Sequence, residues 1–341
     1  MAASGVIVRQ RGALRHDPGQ LIPGHPERPE RLRRCEEELA AQRWLGQEVV
    51  FASEGREEDA ALVHPRPYLE RLAKAQAAGG AILDPDTALG PSSYATALEA
   101  ASAACLLIDR LREGAERGFA LLRPPGHHAL AAEAMGFCLL NNAAVAAEHA
   151  RRRHGLARVA IVDWDVHHGN GTEAIFLAEP AVLYISLHRY PFYPGTGSLA
   201  DRGTGAGAGY TLNLPLPAGS DGALWRSALA ELAVPALRRF APQLIILSAG
   251  YDAHRDDPLG GCNLESDDYA ELARAIGAVA QELGAPVGAL LEGGYHPAAL
   301  SASVIATIRG LTDGRRPRPL DRHPFVGLLE ERLARLPAAA G

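Results

Sequence analysis

One short stretch of this chain, VDWDVHHGNGT at residues 162–172, has the residue types of a metal site or an acid–base site. It follows an apolar run and places two aspartates and two histidines within six positions. In an extended segment, Asp163, Asp165 and His167 point to the same side, because successive side chains alternate. A carboxylate and an imidazole placed in this way can share one divalent cation. His168 points to the opposite side, and we assign it no catalytic role.

A catalytic metal site needs a third protein ligand and one open position. The predicted third ligand is Asp252, which follows the apolar run QLIILSAGY, where Gly250 is expected to let the backbone turn. The alternative for this cluster is a hydrogen-bond network or a helix cap at a strand end, without an ion. Burying three acids and a histidine without a strong counter-ion is costly, and this favours a metal.

Adjacent histidines, His127 and His128, follow a Pro-Pro-Gly turn in RPPGHHA. They could be further metal ligands, a general-base pair or solvated loop residues. A histidine beside the metal could take a proton from water, because its ordinary pKa of about 6.5 lies near working pH. Such a histidine needs an orienting partner on its other ring nitrogen, and Asp163 and Asn170 are the candidates.

A tyrosine, Tyr295, follows two glycines in LEGGYH, after another apolar run. Its phenol could donate a hydrogen bond to an oxyanion that forms on a polarised carbonyl. The alternative is an aromatic side chain at the rim, packed over the next helix, because tyrosine is commonly half-buried.

The elements that would position these residues are visible in the apolar patterning. Continuous apolar runs predict strands covered on both faces at 5–10, 118–123, 158–164, 181–188, 243–250 and 286–294. Helices are predicted at 29–43, 57–77, 92–114, 139–153, 222–240, 266–283 and 296–310, with a last helix after the proline-rich segment 313–324. Asp221 and Ser266 are predicted N-caps, and Gly155 and Gly284 are predicted to end helices.

This alternation of strands and helices predicts an α/β fold, with a mostly parallel central sheet and helices on both faces. We expect a single domain over residues 1–341. In such sheets, ligands bind outside the carboxyl ends of the strands. Four of the predicted strands end in the motifs described above, so the sheet would gather them at one edge.

Composition excludes several other classes of protein. The 341 residues are 47% apolar and 22% charged, as in an ordinary globular protein, and the net charge of −6 argues against binding to nucleic acids or anionic membranes. No run approaches the roughly 18 apolar residues of a membrane span. The four cysteines are scattered, which favours a reduced compartment. Without a visible signal sequence, we expect a cytoplasmic protein, and a homo-oligomer is compatible with the sequence.

Taken together, the motifs resemble the histone deacetylase superfamily. The matching segments are GHPERPERL (24–32), RPPGHHA (123–129), MGFCLLNNAA (135–144), DWDVHHGNGT (163–172), FYPGTG (192–197), SAGYDAHRDDPLG (248–260) and LEGGYH (291–296). They occur in family order over about residues 5–310, which leaves a helical extension at 311–341. HHGNG and SAGYDAHRDDPLG are more similar to the class II and bacterial amidohydrolase branch. The resemblance implies a single-domain, arginase-like α/β fold with a catalytic Zn²⁺.

The resemblance also implies roles for individual residues. Asp165, His167 and Asp252 match the zinc ligands. His128 matches the general base and acid, and His127 matches its electrostatic neighbour.

Further residues match the surroundings of this centre. Asp163 and Asn170 match the partners of the two histidines, and Tyr295 matches the tyrosine that polarises the substrate carbonyl. By the same resemblance, Arg31 stands at an inner channel that handles acetate.

The walls of the substrate tunnel carry over as well. Gly136, Phe137 and Tyr193 match residues that line a narrow tunnel for the acylated side chain, and Asp86 lies near a rim residue. Polyamine deacetylases of this superfamily place an acidic gatekeeper where this chain has Leu259. Leucine there argues for acyl-lysine or a less charged acyl-amide.

Monovalent cations, K⁺ or Na⁺, are implied at two structural sites. The residues that match the first site are Asp163, Asp165, His167, Ser186 and Leu187. The residues that match the second site are Phe176, Glu179, Val182 and Tyr210.

The implied reaction is zinc-dependent hydrolysis of an acyl-amide to an amine and a carboxylate. The substrate is expected to be acylated lysine or a small acylated amine, and acetylpolyamine is the first alternative. A more distant alternative is an arginase-like ureohydrolase, which shares the fold but holds two Mn²⁺ ions with more acidic ligands.

Overall fold

The computed structural model describes residues 5–52 and 54–335. Residues 1–4, 53 and 336–341, including both ends of the predicted domain 1–341 and the end of the predicted extension 311–341, lie outside the described residues. The strands are β1 (Gly5–Arg9), β2 (Glu48–Phe51), β3 (Ala81–Asp84), β4 (Thr87–Leu89), β5 (Arg117–Leu121), β6 (Val159–Asp163), β7 (Val182–Arg189), β8 (Thr211–Leu216), β9 (Leu244–Ala249) and β10 (Val287–Leu291). The α-helices are α1 (Glu30–Ala41), α2 (Glu57–Ala60), α3 (Arg66–Ala77), α4 (Ser93–Arg112), α5 (Asn142–His154), α6 (Asn170–Phe176), α7 (Gly222–Ala228), α8 (Val234–Phe240), α9 (Ser266–Leu283), α10 (Pro297–Thr312) and α11 (Pro324–Arg335).

Eight strands form one sheet in the order β2-β1-β5-β10-β9-β6-β7-β8. Every neighbouring pair in this sheet is parallel, while β3 and β4 form a separate antiparallel hairpin. The predicted α/β fold with a mostly parallel central sheet is therefore confirmed. All six predicted strands are present in it.

The two edge strands of the sheet and the hairpin were not predicted. β2 has only four residues, and both of its end residues are exposed. β8 contains Pro215, which lacks the N–H that a central strand needs. Strands at the edge of a sheet are covered on fewer sides, so they lack the continuous apolar run by which the central strands were recognised.

Helices cover both faces of the sheet. In β1, Ile7 belongs to one hydrophobic cluster, whereas Val6 and Val8 belong to the other. The first cluster includes buried residues of α1, α7, α9, α10 and α11, and the second includes those of α4, α5 and α6. The four cysteines are buried and free.

Two predicted helices depart from regular α-helix near prolines. The segment predicted as one helix at 57–77 forms α2 and α3, and Pro65 precedes α3 in an extended conformation. The residue before a proline is disfavoured in the helical region, which explains the break. The helix predicted at 222–240 is continuous, but it passes through a π-helical turn, Leu229–Ala233, just before Pro235.

The predicted helix ends were correct in three of four cases. Asp221 caps α7 by accepting from the N–H of Leu224, 3.1 Å away. Gly155 and Gly284 end α5 and α9 in the left-handed conformation. Ser266 is wrong as an N-cap, because it is the first residue of α9 and Glu265 caps that helix in a capping box with Asp268.

The four strands that end in the chemical motifs are the four in the middle of the sheet. In the sheet order, β5, β10, β9 and β6 are consecutive neighbours. Their carboxyl ends therefore lie side by side, and so do the loops that follow them. Over residues 5–52 and 54–335, no helix combines the length and the apolar character needed to cross a membrane.

Candidate active site

Three predicted metal ligands converge at this edge of the sheet. Nδ1 of His167 lies 3.1 Å from Oδ1 of Asp165 and 3.1 Å from Oδ2 of Asp252. The ligand atoms of the three residues all lie within 4.8 Å of one another, and both carboxylates are buried. A single ion among these atoms would be held by two carboxylates and one imidazole, a donor set that zinc accepts.

Backbone N–H groups orient the two carboxylates. Oδ2 of Asp165 accepts from the N–H of Gly293 at 2.9 Å, and Oδ1 of Asp252 accepts from the N–H of Val166 at 2.9 Å. The strands β6, β9 and β10 thus jointly fix the position of both side chains. This fixed geometry is what a metal site requires of its ligands.

Two glycines leave room for the carboxylates. A Cβ at Gly250 would lie 2.0 Å from Oδ2 of Asp165, and one at Gly293 would lie 2.4 Å from Oδ2 of Asp252. Gly250 is not in the left-handed conformation. The expectation that this glycine frees the backbone to turn is therefore wrong, because its function is to make space for the side chain of Asp165.

The electrostatics of the cluster favour a cation. Burial and the neighbouring Asp165 raise the pKa of Asp252 to about 7. Burial acts to lower the pKa of His167, but hydrogen bonds to the two aspartates outweigh it and raise that pKa to about 9. Two buried carboxylates that face one ring nitrogen are destabilised without positive charge between them, so the cluster fits a divalent ion better than a neutral hydrogen-bond network.

His127 is paired with the predicted partner, Asp163. Its Nδ1 lies 3.0 Å from Oδ2 of Asp163, and that oxygen also accepts from the hydroxyl of Tyr184 at 3.1 Å. Burial acts to lower the pKa of His127, but Asp165 and Asp163 outweigh it and raise the pKa to about 10. His127 is therefore a buried cation at neutral pH.

The pKa of His128 is shifted in the opposite direction to that of His127. Burial, together with His127 and His167, holds its pKa well below 6.5. Its Nδ1 lies 2.8 Å from Oδ1 of Asn170, as predicted for the orienting partner. Both adjacent histidines are less than 5% exposed, which excludes solvated loop residues. A neutral imidazole whose far nitrogen is held by an amide can act as a base.

Tyr295 is enclosed rather than half-exposed. Its side chain packs edge-on against Phe137 with ring centroids 5.5 Å apart, and the guanidinium of Arg31 lies 4.7 Å from its ring centre. The residue is only 7% exposed, so the alternative of an aromatic side chain at the rim is not supported. Burial raises the pKa of the phenol well above its ordinary value, which keeps it a hydrogen-bond donor at neutral pH.

Aromatic side chains and a glycine surround the space above His128. The ring of Tyr193 lies edge-on to His128 with centroids 5.3 Å apart, and Tyr193 is 37% exposed. Gly136 has a positive φ, and a Cβ there would lie 2.5 Å from Cδ2 of His128. Phe137 also has a positive φ of 67° and contacts His25 with centroids 4.6 Å apart. The predicted tunnel residues thus lie beside the two catalytic candidates.

The predicted rim residues are connected to this site through the backbone. Asp86 is half-buried; its carbonyl lies 2.9 Å from Nε2 of His25, and Oδ1 accepts from Thr87 at 3.0 Å. Leu259 is half-buried, and its N–H donates to Asp257 at 2.9 Å.

His168 faces away from the metal cluster, with ring nitrogens 2.8 Å from Thr196 and 3.1 Å from Glu173.

Comparison with known proteins establishes the family. A sequence model of the histone deacetylase domain matches residues 25–311. The chain belongs to the histone deacetylase family. The histone deacetylase-like amidohydrolase of Pseudomonas aeruginosa is 40% identical over 296 residues, which cover 86% of this chain and 78% of that protein. Polyamine deacetylase HDAC10 of Homo sapiens is 40% identical over 300 residues, which cover 84% of this chain but 44% of the human protein.

A solved structure supports the same assignment. The crystal structure of the HDA15 HD domain matches with a TM-score of 0.88 and 35% identity, covering 96% of this chain and 95% of that one. The expected resemblance to the histone deacetylase superfamily is therefore confirmed. Family membership identifies the chain as a hydrolase of the deacetylase and amidohydrolase type.

One residue that the sequence analysis missed holds the loop of His127 and His128. Glu292, at the end of β10, accepts from the N–H of Gly126 at 2.6 Å and from that of His127 at 3.2 Å. Ser248, at the end of β9, donates to the other oxygen at 3.1 Å. The sequence signal was present, because a glutamate directly after an apolar strand stands in LEGGYH.

Asp257 was also missed, and it holds the backbone of the catalytic tyrosine candidate. Its Oδ2 accepts from the N–H of Tyr295 at 2.5 Å and from that of His296 at 3.3 Å. The loop after β9 therefore positions the loop after β10. Arg31 contributes from α1, donating at 2.5 Å to the carbonyl of Gly294.

The two implied monovalent-cation sites remain predictions. At the first, Asp163 and Ser186 are register partners in β6 and β7, and Ser186 bonds His188 at 2.9 Å. At the second, the carbonyls of Phe176 and Tyr210 accept backbone N–H groups at 3.0 and 2.9 Å, which leaves each a second lone pair.

Proposed function

We propose that this histone deacetylase is a zinc-dependent amidohydrolase that removes an acetyl or another acyl group from an acylated amine. The observation that supports this proposal is the convergence of two carboxylates and one imidazole beside a neutral histidine and a protonated phenol. Acylated lysine is the proposed substrate class, and small acylated amines such as acetylpolyamines are the alternative.

Asp165, His167 and Asp252 would hold the zinc ion. The remaining edge of the cluster faces the space between His128 and Tyr193, where a substrate carbonyl could approach. Bound there, zinc would act as a Lewis acid on the carbonyl oxygen and would lower the pKa of water. One or more monovalent cations at the sites described above would have a structural role.

His128 would carry the proton. Because it is neutral, its free ring nitrogen can take a proton from the attacking water while Asn170 holds the other nitrogen. The new C–O bond forms as the carbonyl π bond opens. When the C–N bond breaks, His128 returns the proton to the leaving nitrogen. The balanced reaction is R–NH–CO–CH₃ plus water to the ammonium R–NH₃⁺ plus acetate, CH₃COO⁻.

Tyr295 would stabilise the oxyanion that develops, and His127 would keep His128 unprotonated before the reaction. The phenol of Tyr295 would donate a hydrogen bond to the oxyanion of the tetrahedral intermediate. The positive charge of His127 keeps the pKa of the neighbouring His128 low, so that His128 remains a base.

The substrate class is proposed from the residues at the mouth. Leu259 offers no negative charge to attract a polyamine, which favours acyl-lysine or a less charged amide. The similarity to a human protein named as a polyamine deacetylase keeps the polyamine alternative open. The arginase-like alternative is disfavoured by the family match and by a donor set of only two acids and one histidine.

The test is a hydrolysis screen with two variants. We expect His128→Ala to slow hydrolysis of acetyl-lysine peptide by about 10²–10⁴-fold, the usual cost of losing a general base. Tyr295→Phe should slow it by about 10²–10³-fold, the usual cost of losing an oxyanion donor. Zinc content, measured by mass spectrometry of the metal, should not change in either.

The controls are His323→Ala and Tyr94→Phe, which remove an imidazole and a phenol hydroxyl away from the site. Both should retain the wild-type rate. A wild-type rate in His128→Ala or Tyr295→Phe would refute the mechanism. The same screen, run with acetylpolyamines and longer acyl-lysines, decides between the substrate classes by kcat/KM.

A further inference from the structure

A second group of metal-ligating side chains lies in the helical layer, separate from the active site. Asp109 comes from the last turn of α4, and His149 and His154 come from the last two turns of α5. Their ligand atoms all lie within 4.8 Å of one another. Neither helix supplies a residue to the zinc cluster, and no role proposed above uses these three side chains.

The two imidazoles converge on one point. Nε2 of His149 and Nε2 of His154 each lie 2.7 Å from the same oxygen, Oδ1 of Asp109. The rings are 5.4 Å apart between centroids and inclined at 68°. Both ring nitrogens point at the same carboxylate oxygen of Asp109. Small rotations of the three side chains would therefore place three donor atoms around a single ion.

The burial of the three residues suits a bound ion that remains open to water. The side chain of His149 is 5% exposed, while those of His154 and Asp109 are 25% and 34% exposed. An ion could therefore enter from solvent, with water in a fourth position. Two imidazoles and one carboxylate form a known ligand set for zinc with an open position.

The second ring nitrogen of His149 is a further indication. Nδ1 is buried and has no hydrogen-bond partner among the described residues. To bind an ion through Nε2, the neutral ring must carry its proton on Nδ1 instead. No hydrogen bond at Nδ1 opposes this change of tautomer, and the bond from Nε2 to Asp109 would be exchanged for the bond to the ion. A buried carboxylate, Asp59, has an oxygen within 4.8 Å of a ring nitrogen of His149.

Asp59 and the nearby Cys105 are better placed as neighbours than as ligands. Both oxygens of Asp59 accept from Arg56 at 3.0 Å, and one also accepts from Ser102 at 2.8 Å. Burial raises the pKa of Cys105 well above its ordinary value, so it remains a neutral thiol. The most accessible donors are thus the carboxylate of Asp109 and the two imidazoles.

We propose that Asp109, His149 and His154 form a second metal site, which binds one divalent transition-metal ion such as Zn²⁺. The ion would replace two hydrogen bonds by three coordinate bonds and would join the ends of α4 and α5. The set of ligands contains two nitrogens and one oxygen, which disfavours the oxygen-seeking ions Mg²⁺ and Ca²⁺.

The experiment uses the full chain with the active-site cluster disabled. Asp165→Asn with Asp252→Asn removes two ligands of the first site, and this double variant serves as the background. After treatment with a chelator and dialysis against Zn²⁺, the protein is passed through gel filtration and its metal is counted. We expect about one ion per chain in the background and a large loss of it when His154→Gln is added.

Asp109→Asn separates metal binding from hydrogen bonding. Asparagine still offers an oxygen to both imidazoles, but it lacks the negative charge that holds an ion. We expect Asp109→Asn in the background to lose the ion and to lose the rise in melting temperature that Zn²⁺ gives. His323→Gln, a histidine outside both clusters, is the matched control and should retain the ion.

The outcomes are decisive in either direction. Without the active-site substitutions, His154→Gln should keep the wild-type rate of deacetylation, because it lies in neither the zinc cluster nor the tunnel. Circular dichroism checks that each variant is folded. If the background retains no ion, or if Asp109→Asn and His154→Gln retain as much as the background does, the cluster is a hydrogen-bonded clamp and the proposal is wrong.

Discussion

The pKa values of two adjacent histidines in this chain are shifted in opposite directions because their neighbours differ. His127 lies against Asp163 and Asp165, which outweigh burial and raise its pKa to about 10. His128 is buried beside two imidazoles, and its pKa lies well below 6.5. Sequence alone predicted both histidines and both orienting partners, because they lie in recognisable motifs. The charge states depend on side chains brought together by folding.

The first prediction concerns the pH profile of activity. A general base works in its neutral form, so activity is lost as pH falls through its pKa. We therefore expect the acid limb of kcat/KM to lie below pH 6.5 in the wild type. His127→Gln removes a positive charge that lowers the pKa of His128, so the limb should move to higher pH.

The measurement is kcat/KM across the acid range, with zinc content determined at each pH. The metal count separates titration of His128 from loss of the ion. His323→Gln should leave the limb unchanged. An unmoved limb in His127→Gln would show that this charge does not control the base.

Individual elements differ in how well sequence predicts them. The six inner strands were recognised from continuous apolar runs, since parallel strands are covered on both faces. The edge strand β8 was missed because Asn213 and Pro215 break its apolar run. The helix break at Pro65 is a local effect that could have been predicted. The actual function of Gly250 could not, because the crowding carboxylate comes from another strand.

Loops after the central strands hold one another in place through carboxylates. Glu292, at the end of β10, accepts from two N–H groups of the loop that carries His127 and His128. Asp257, in the loop after β9, accepts from the N–H of Tyr295. Such contacts join elements far apart in sequence, so no local pattern could reveal which glutamate or aspartate makes them.

The second prediction tests this positioning. Glu292→Ala removes both carboxylate oxygens, so the N–H groups of Gly126 and His127 lose their acceptor. We expect kcat to fall by roughly 100-fold, the usual cost of a displacement of about 1 Å in a catalytic group. The zinc content should remain that of the wild type.

Ser248→Ala is the matched control, because it removes only the hydroxyl donor to the other oxygen of Glu292. Its effect on kcat should be smaller. If Glu292→Ala has a normal kcat and zinc content, Glu292 has no positioning role. If zinc is lost with activity, the residue acts through the metal cluster instead.

The residues that stabilise the fold and the residues proposed to carry out the chemistry lie in different parts of the molecule. Two hydrophobic clusters cover the faces of the sheet, whereas the three proposed zinc ligands lie at its carboxyl edge. The fold class followed from the sequence because the alternation of strands and helices extends over most of the chain. We therefore expect the protein to remain folded when the ion is removed.

The third prediction is a pH-dependent loss of stability in the metal-free protein. Burial and Asp165 raise the pKa of Asp252 to about 7, and burial raises that of Glu292 to about 7. A carboxyl group with a raised pKa in the folded state stabilises less as pH rises towards that value. The melting temperature of the chelator-treated protein should therefore fall from about pH 4, the ordinary pKa of a carboxyl group, to about pH 7, and these two groups should cause no further fall above that pH.

The zinc-loaded protein is the control, because a bound ion neutralises the carboxylates over that range. Its melting temperature should change less. Asp252→Asn should also reduce the slope in the metal-free protein. A metal-free protein whose melting temperature is constant across this range would contradict the charge arrangement described here.

The proposed chemistry depends on residues at the strand ends, and the selection of substrate depends on residues of the tunnel walls. This difference has a consequence for evolution. The residues proposed to hold the ion and to move the proton lie at the ends of four central strands, whereas Phe137, Tyr193 and Leu259 lie farther along the segments that follow β5, β7 and β9. We expect substitutions at these three positions to alter which substrates enter more than they alter bond cleavage. Proteins that descend from this one can therefore change their substrates while they keep the same reaction.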